Sequence, residues 1–161
     1  MAIPVYMYLK DDANNLIKGG VNVYGRENSV EVLGLHHSVD MPTDDHTGRI
    51  SGKCQHLPFL IEKEIDCSTP YLYKALTSGQ TLNSVELIHY RINDAGQEEA
   101  YYTVLLEKAK VVNVFPLMHD IKDATKEKFN HLELVEFRYE KITWHYLDGN
   151  ILHNNSWLKR A

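Results

Sequence analysis

Nine histidines and two cysteines in 161 residues raise the question of a metal centre first. The nearest constellation is His36-His37 with Cys54-x-His56, imidazole and thiolate donors of the kind zinc accepts. Adjacent histidines on a strand point to opposite faces, however, and one residue between Cys54 and His56 is not the spacing of a structural zinc knuckle. Asp44-Asp45-His46 offers oxygen and nitrogen ligands, but a charged loop tip of this kind is ordinarily solvated. Glu62 and Glu64 share one face of a strand, as a carboxylate pair for acid–base work would, with no pocket indicated around them. Gly48-Arg49-Ile50-Ser51-Gly52 misses the nucleophile-elbow pattern by one position, and Gly52-Lys53 is followed by Cys54 where a phosphate-binding loop carries Ser or Thr. Asn154-Asn155-Ser156 matches a glycosylation acceptor, which means little without a secretory signal. These residues lead us to expect no catalytic residue, no metal and no cofactor, and to look for function in contact surfaces.

Composition narrows the classes further. A chain of this length forms one domain, residues 1–161, and buries about 68–70% of its unfolded surface without a covalent staple. It is 43% hydrophobic and 24% charged, with no apolar run near the roughly 20 residues that span a bilayer, so a globular protein without membrane insertion is expected. A net charge of −5 with scattered Lys and Arg argues against a nucleic-acid footprint. The opening residues lack the basic and apolar regions of a secretory signal. Cys54 and Cys67 are too few for a disulfide framework and read as reduced thiols of a chain made in the cytoplasm.

The elements that must position these residues are mostly strands. Ile3, Val5, Met7 and Leu9 alternate with Pro4, Tyr6 and Tyr8 as a first strand. A loop from Asp11 to Gly20, a strand Val21–Tyr24 and a longer strand Ser29–Val39 follow. Asp40 to Gln55, with a proline, two glycines and many small polar residues, reads as a long surface loop. Leu57–Ile65 resumes strand character, with Leu57, Phe59, Ile61 and Ile65 on one face. The one firm helix starts at Ser68 or Thr69 as cap, has Pro70 in its first turn, repeats Tyr71, Leu72, Ala75 and Leu76 at helical spacing and ends at Gly79. Beyond it, Val85–Ile92 and about Glu98–Phe115 form a hairpin through Asn93-Asp94-Ala95-Gly96, a short helical turn is expected near Thr125 to Lys128, and Asp148-Gly149 folds Ile151–Trp157 back on the strand before it. The fold class is mainly β: an antiparallel two-sheet barrel or sandwich of roughly nine strands with one short flanking α-helix.

Within His131 to Tyr146 the alternation changes phase twice. Leu132 and Leu134 lie on one face, Val135, Phe137 and Tyr139 on the other, and then Ile142, Trp144 and Tyr146 on the first again. Such a change requires either a bulge or a second hydrophobic surface such as a partner subunit. Ten tyrosines against four phenylalanines also suit surfaces buried in assembly, though ordinary strand preference explains the same excess. Tyr6, Tyr8, Trp144 and Tyr146 are the candidates for a subunit interface.

Several stretches carry a resemblance from end to end: Gly25-Arg26-Glu27 with Ser29-Val30-Glu31-Val32; Pro42-Thr43-Asp44 with Thr47-Gly48; His56-x-Pro58-Phe59 with Lys63-Glu64-Ile65-Asp66. They continue in Ser68–Ala75, Tyr90–Glu98, Met118-His119-Asp120, Tyr139–Trp144, Asp148-Gly149-Asn150 and Ser156-Trp157. In this order they resemble the haemolysin-coregulated protein (Hcp) family, the tube protein of bacterial type VI secretion. The resemblance implies a two-sheet β-barrel flanked by a helix, without catalytic activity, six copies of which close into a ring. The rings stack into a tube that fills a contractile sheath, is expelled with its spike tip, and holds effector proteins in its lumen. It also implies assembly in the cytoplasm followed by secretion without a signal peptide, and it places Asp44, Asp45 and Arg49, in the long loop, at contacts between stacked rings. Cys54, Cys67, His36-His37 and His46 fall outside the family pattern. Some members carry a toxin domain after the barrel, and none is expected here, where four residues follow Trp157. On the ring reading, the phase changes mark a face that meets a neighbouring subunit, so that at least two of Val135, Phe137, Tyr139, Ile142, Trp144 and Tyr146 lie outside the core. The rival is a monomeric β-barrel that binds a small ligand or a metal, with chemistry at His36, Cys54 and His56; a fibre or adhesin subunit is a third, disfavoured by the missing secretory signal.

Overall fold

In the computed structural model, which describes residues 3–157, the chain runs β1 (Val5–Lys10), β2 (Leu16–Ile17), β3 (Val30–Val32), β4 (Gly34–His36), β5 (Val39–Asp40), β6 (Gln55–His56) and β7 (Phe59–Glu64). Helix α1 (Thr69–Ser78) follows, then β8 (Thr81–Ile92), β9 (Glu98–Leu117), a 3-10 turn (Ala124–Lys126), β10 (Leu132–Arg138), β11 (Lys141–Tyr146) and β12 (Ile151–Ser156). All pairings are antiparallel, and the main sheet has the order β2-β1-β8-β9-β10-β7-β4, with β3 on β1 and the β11–β12 hairpin on β9.

The 20-residue β9 pairs along one edge with β8 and along the other with β10 and then β11. Its core-facing side chains change parity: Val104 and Leu106, then Ala109 and Val111. Lys108, between them, has a left-handed backbone (φ 51°), which turns the following side chains to the opposite side of the strand. The neighbouring chain makes the same change at the same place. Arg138 pairs with Lys110 and Lys141 with Glu107, so three steps on one side match three on the other, and the strand breaks at Tyr139-Glu140. A second irregularity leaves Val112 unpaired opposite Glu136 and Phe137. The phase changes of His131 to Tyr146 are therefore corners of a sheet wrapping around its core. Val135, Phe137, Tyr139 and Ile142 are all buried in that core, Trp144 packs against it, and only Tyr146 is exposed. Two of the six, Trp144 and Tyr146, thus lie outside the buried core, as expected, although the phase changes themselves arise from the corners of the sheet and not from a second interface.

The phase change in Ser29 to Val39 has a different cause. The expected single strand is three short ones, because the chain changes partner: Val32 pairs with Val5 of β1, whereas Gly34 pairs with Glu62 of β7. Both ends of the sheet are thus brought onto one stretch of chain, which gives the sheet its barrel-like curl while the ladder stays interrupted at Leu33. Val21–Tyr24 is not a strand; Gly19 and Val21 bond instead to the backbone of Asn28 and Ser29, and Tyr24 is exposed. Leu16–Ile17, expected in a loop, pairs with β1. Gly19 is required here, since a Cβ at this position would lie 2.3 Å from the Ser29 carbonyl oxygen.

Helix α1 is bounded as its sequence dictates, with Pro70 in the first turn, Leu72 and Ala75 buried, and Gly79 closing it at φ 68°. Its N-terminus is secured differently. The Ser68 side chain makes no cap, and its hydroxyl donates to Asp66 Oδ1, while Thr69 Oγ1 donates to Glu133 Oε1 (2.7 Å). Ile65, expected on the core face, is exposed, and the inward position on β7 is taken by Lys63. Lys63 lies directly across from Glu133 on β10, and both side chains are fully buried. The Lys63 ammonium donates to Glu133 Oε1, to the Glu64 carbonyl oxygen (2.9 Å) and to Thr69 Oγ1 (3.3 Å), with Asp66 Oδ1 at 3.2 Å. Burial opposes the charge on Asp66, but hydrogen bonds from Ser68 and the Lys63 charge prevail and hold its carboxyl below the usual carboxylate range.

A buried pair of this kind is strongly disruptive to break and much less so to replace whole. Lys63→Met leaves the Glu133 and Asp66 carboxylates without their cation and is expected to cost about 3–5 kcal/mol, whereas Lys63→Met combined with Glu133→Leu recovers most of that loss. Urea unfolding at a fixed protein concentration measures both, and an additive loss in the double variant would contradict the coupling. In the same assay, Gly19→Ala is expected to cost about 1–3 kcal/mol by forcing the Ser29 strand outward.

Candidate functional site

Asp40 to Gln55 is not an unstructured loop but a hydrogen-bonded arm. At its base Val39 pairs with His56 and Asp40 with Gln55; further out the Ser51 N–H donates to the Pro42 carbonyl (2.9 Å), Thr43 bridges Ile50, and the Asp44 N–H donates to the Arg49 carbonyl (2.7 Å). The tip is built on one carboxylate: Asp44 Oδ1 accepts from the His46 N–H (2.8 Å) and the Thr47 N–H (2.9 Å), while Gly48 supplies the left-handed residue (φ 70°). Those N–H donors, Thr47 first, hold the Asp44 carboxyl below the usual range. Asp44 is thus occupied within the arm. Asp45 and Arg49 are exposed, and their side chains make no hydrogen bond or ion pair among the described residues, leaving opposite charges free at the tip. Apolar Met41 and Ile50 are also exposed on the arm. Sequence patterning missed this hairpin because its register is carried by backbone bonds and one Asx turn, with no apolar alternation to mark it.

The four aromatic candidates occupy different settings. Tyr6 is buried within the chain itself, edge-on to Tyr90 (5.6 Å), and the Arg26 guanidinium sits 3.8 Å from the centre of the Tyr90 ring and 5.0 Å from that of Tyr6. Glu98 closes this stack with a 2.6 Å ion pair to Arg26. Tyr8 is half-buried, and burial raises its phenol above the ordinary value. Trp144 is half-buried between the core and the His153 ring, which stacks on it at 6.0 Å with an interplanar angle of 4°. Tyr146 is exposed at the end of β11, where its hydroxyl accepts from Arg91 (3.3 Å) and Tyr101 meets it edge-on. Alongside lies a surface the sequence did not single out: β12 pairs only with β11 among the described residues, and Ile151 and Leu152 on it and Trp157 just after it are exposed. Alternation alone does not distinguish such an edge strand from a central one.

The histidine constellation is resolved by a tyrosine. His56 Nδ1 lies 2.6 Å from Tyr139 Oη, His56 Nε2 lies 2.7 Å from Asn155 Oδ1, and His37 Nε2 lies 2.8 Å from the same Tyr139 oxygen. His36 faces outward. Among the described residues no group of three or more His, Cys, Asp or Glu side chains is placed to hold a metal ion. Glu64 is taken by Asn130 (2.9 Å) and forms no acid–base pair with Glu62. No helix among the described residues is long and apolar enough to cross a membrane.

Residues 6–146 match the model of a family described as "Type VI secretion system effector, Hcp". The chain is 40% identical to the Major exported protein of Pseudomonas aeruginosa over 159 residues, covering 92% of each. Among solved structures it is similar to a variant of Hcp1 from E. coli EAEC 042 (54% identity, TM-score 0.88, 97% of this chain and 99% of that one). It is also similar to the secreted protein Hcp3 of Pseudomonas aeruginosa (34% identity, TM-score 0.79, 98% of this chain and 100% of that one). A matched family model spanning most of the chain, together with relatives aligned over nearly its whole length, leaves one conclusion: the chain belongs to the Hcp family and is a structural, non-enzymatic, secreted component of the type VI secretion tube, built from hexameric rings.

Proposed function

We propose that the arm is the contact between successive rings, with Asp45 and Arg49 meeting the neighbouring ring and Asp44 shaping the tip that presents them. Within the ring, Tyr8, Trp144 and Tyr146 face adjacent copies, and Tyr6 holds the Tyr90–Arg26 stack behind them. The tube sits inside a contractile sheath beneath its spike, carries effector proteins in its lumen, and is assembled in the cytoplasm before it leaves the cell through type VI secretion without a signal peptide. The observation that carries this reading is the arm itself: an ordered projection whose base is tied into the barrel and whose tip carries two free charges of opposite sign beside exposed Ile50. A solvated loop has no need of that order, and a docking element does.

Asp45→Arg and Arg49→Glu are each expected to shorten stacks seen by electron microscopy several-fold while light scattering still reports intact hexamers. Asp44→Ala acts in the same direction by loosening the tip. Stacks of unchanged length, or loss of the hexamer itself, would count against the assignment.

A further inference from the structure

The chain His37–Tyr139–His56–Asn155 ties four separate pieces of the molecule together. His37 lies between β4 and β5, His56 in β6, Tyr139 at the corner after β10, and Asn155 in β12. His37 and His56 flank the two sides of the arm at its base, where the Leu57 N–H also donates to the Ser38 carbonyl (3.0 Å). Trp157 lies over the His56 ring (5.1 Å), and Phe59 lies against His37 (4.7 Å). Every member has a hydrogen-bond partner within the chain.

We propose that this chain is an acid-released latch on the arm: it stays closed with one added proton and opens on the second. In one polarity His37 Nε2–H donates to Tyr139 Oη, the phenol donates to His56 Nδ1, and His56 Nε2–H donates to Asn155 Oδ1. His37 then charges at Nδ1 without losing a bond. When His56 charges instead, both of its nitrogens donate, and the phenol turns to donate to His37 Nε2, whose own proton resides on Nδ1. With both rings charged neither solution exists. Two N–H groups then point at one oxygen, the phenol proton has no acceptor, and like charges face each other across Tyr139, which is only 5% exposed. Opening the arm relieves all three.

The surrounding groups fit this behaviour. Burial, followed by Cys54, raises the Tyr139 phenol far above its ordinary range, so it remains a proton donor throughout. Burial and then the charge on His56 hold His37 below the ordinary imidazole value. The closed arm consequently binds protons more weakly than the open one: the stability of the closed state is complete above about pH 6.5 and is lost as pH falls below it toward the lower closed-state value. The other titratable and charged groups facing the chain are His36 and Glu136, which line the groove beside His37; Arg138, which donates to the His56 carbonyl oxygen (3.3 Å); and the Cys54 thiol. The consequence for ring stacking rests on the arm being the stacking contact; the latch itself does not.

Hydrogen exchange on the full-length protein, read by mass spectrometry from about pH 7 to about pH 4 and normalised to unstructured-peptide rates at each pH, tests the latch directly. Protection of amides 39–57 is expected to fall by about tenfold or more while β8 and β9 stay protected. His37→Gln, which can donate or accept but never charges, is expected to abolish that fall, and Tyr139→Phe to leave the arm weakly protected at every pH. Constant arm protection in the native chain, an unchanged fall in His37→Gln, or loss of barrel protection at the same pH would overturn the proposal. If the arm opens in acid while stacks in the same samples keep their length, the latch stands and the assignment of the arm to stacking fails.

Discussion

The structure depends on β9 being held along one edge by β8, over residues 98–110, and along the other by β11 and β10, over residues 102–117, while it bends twice. A flat strand of 20 residues would carry its sheet away from any single core; here a left-handed residue at Lys108 and an unpaired one at Val112 turn it, and the neighbouring chain turns with it at Tyr139-Glu140. Because both strands change parity at the same place, Leu106, Ala109, Tyr139 and Ile142 all remain in one core. The rest of the sheet follows from that curl. It brings β7 close enough to β1 for a single stretch, Val30 to His36, to pair with both, and it leaves the β11–β12 hairpin as a free flank.

Legibility in the sequence tracked the locality of the cause. Helix α1, the Asn93–Gly96 hairpin, the long strands beside it, the turn near Ala124–Lys126 and the Asp148-Gly149 turn each depend on a few adjacent residues, and each stands close to where those residues put it, although Ser68 does not cap α1. The failures are non-local. Ser29 to Val39 looked like one strand because nothing within it announces a change of partner, and the phase change in His131 to Tyr146 resembled a second interface because its matching kink lies in β9. Lys63 was hidden for the same reason: a lysine reads as an outward residue until Glu133, seventy positions later, is seen directly across from it.

Candidate site residues divide along a similar line. Polar groups that might have done chemistry are satisfied internally: Asp44 by its own turn, Glu64 by Asn130, and His37 and His56 by Tyr139. Groups left free, Asp45 and Arg49 on the arm and the apolar side chains of β12, lie on projections and edges, where assembly takes place. A structural subunit fits that distribution, with its chemistry directed inward to hold the shape and its unsatisfied surface directed toward other copies. The residue types of the arm suggested a loop, and only its backbone bonding revealed an ordered element.

A side-chain-resolution cryo-EM reconstruction of the stacked tube tests most directly whether the arm joins successive rings. Residues 43–51 of every copy are expected in contact with the adjoining ring, with Asp45 and Arg49 paired across the junction and the base of the arm closed on Tyr139. Arms standing free in solvent or in the lumen, with rings meeting through other surfaces, would contradict it.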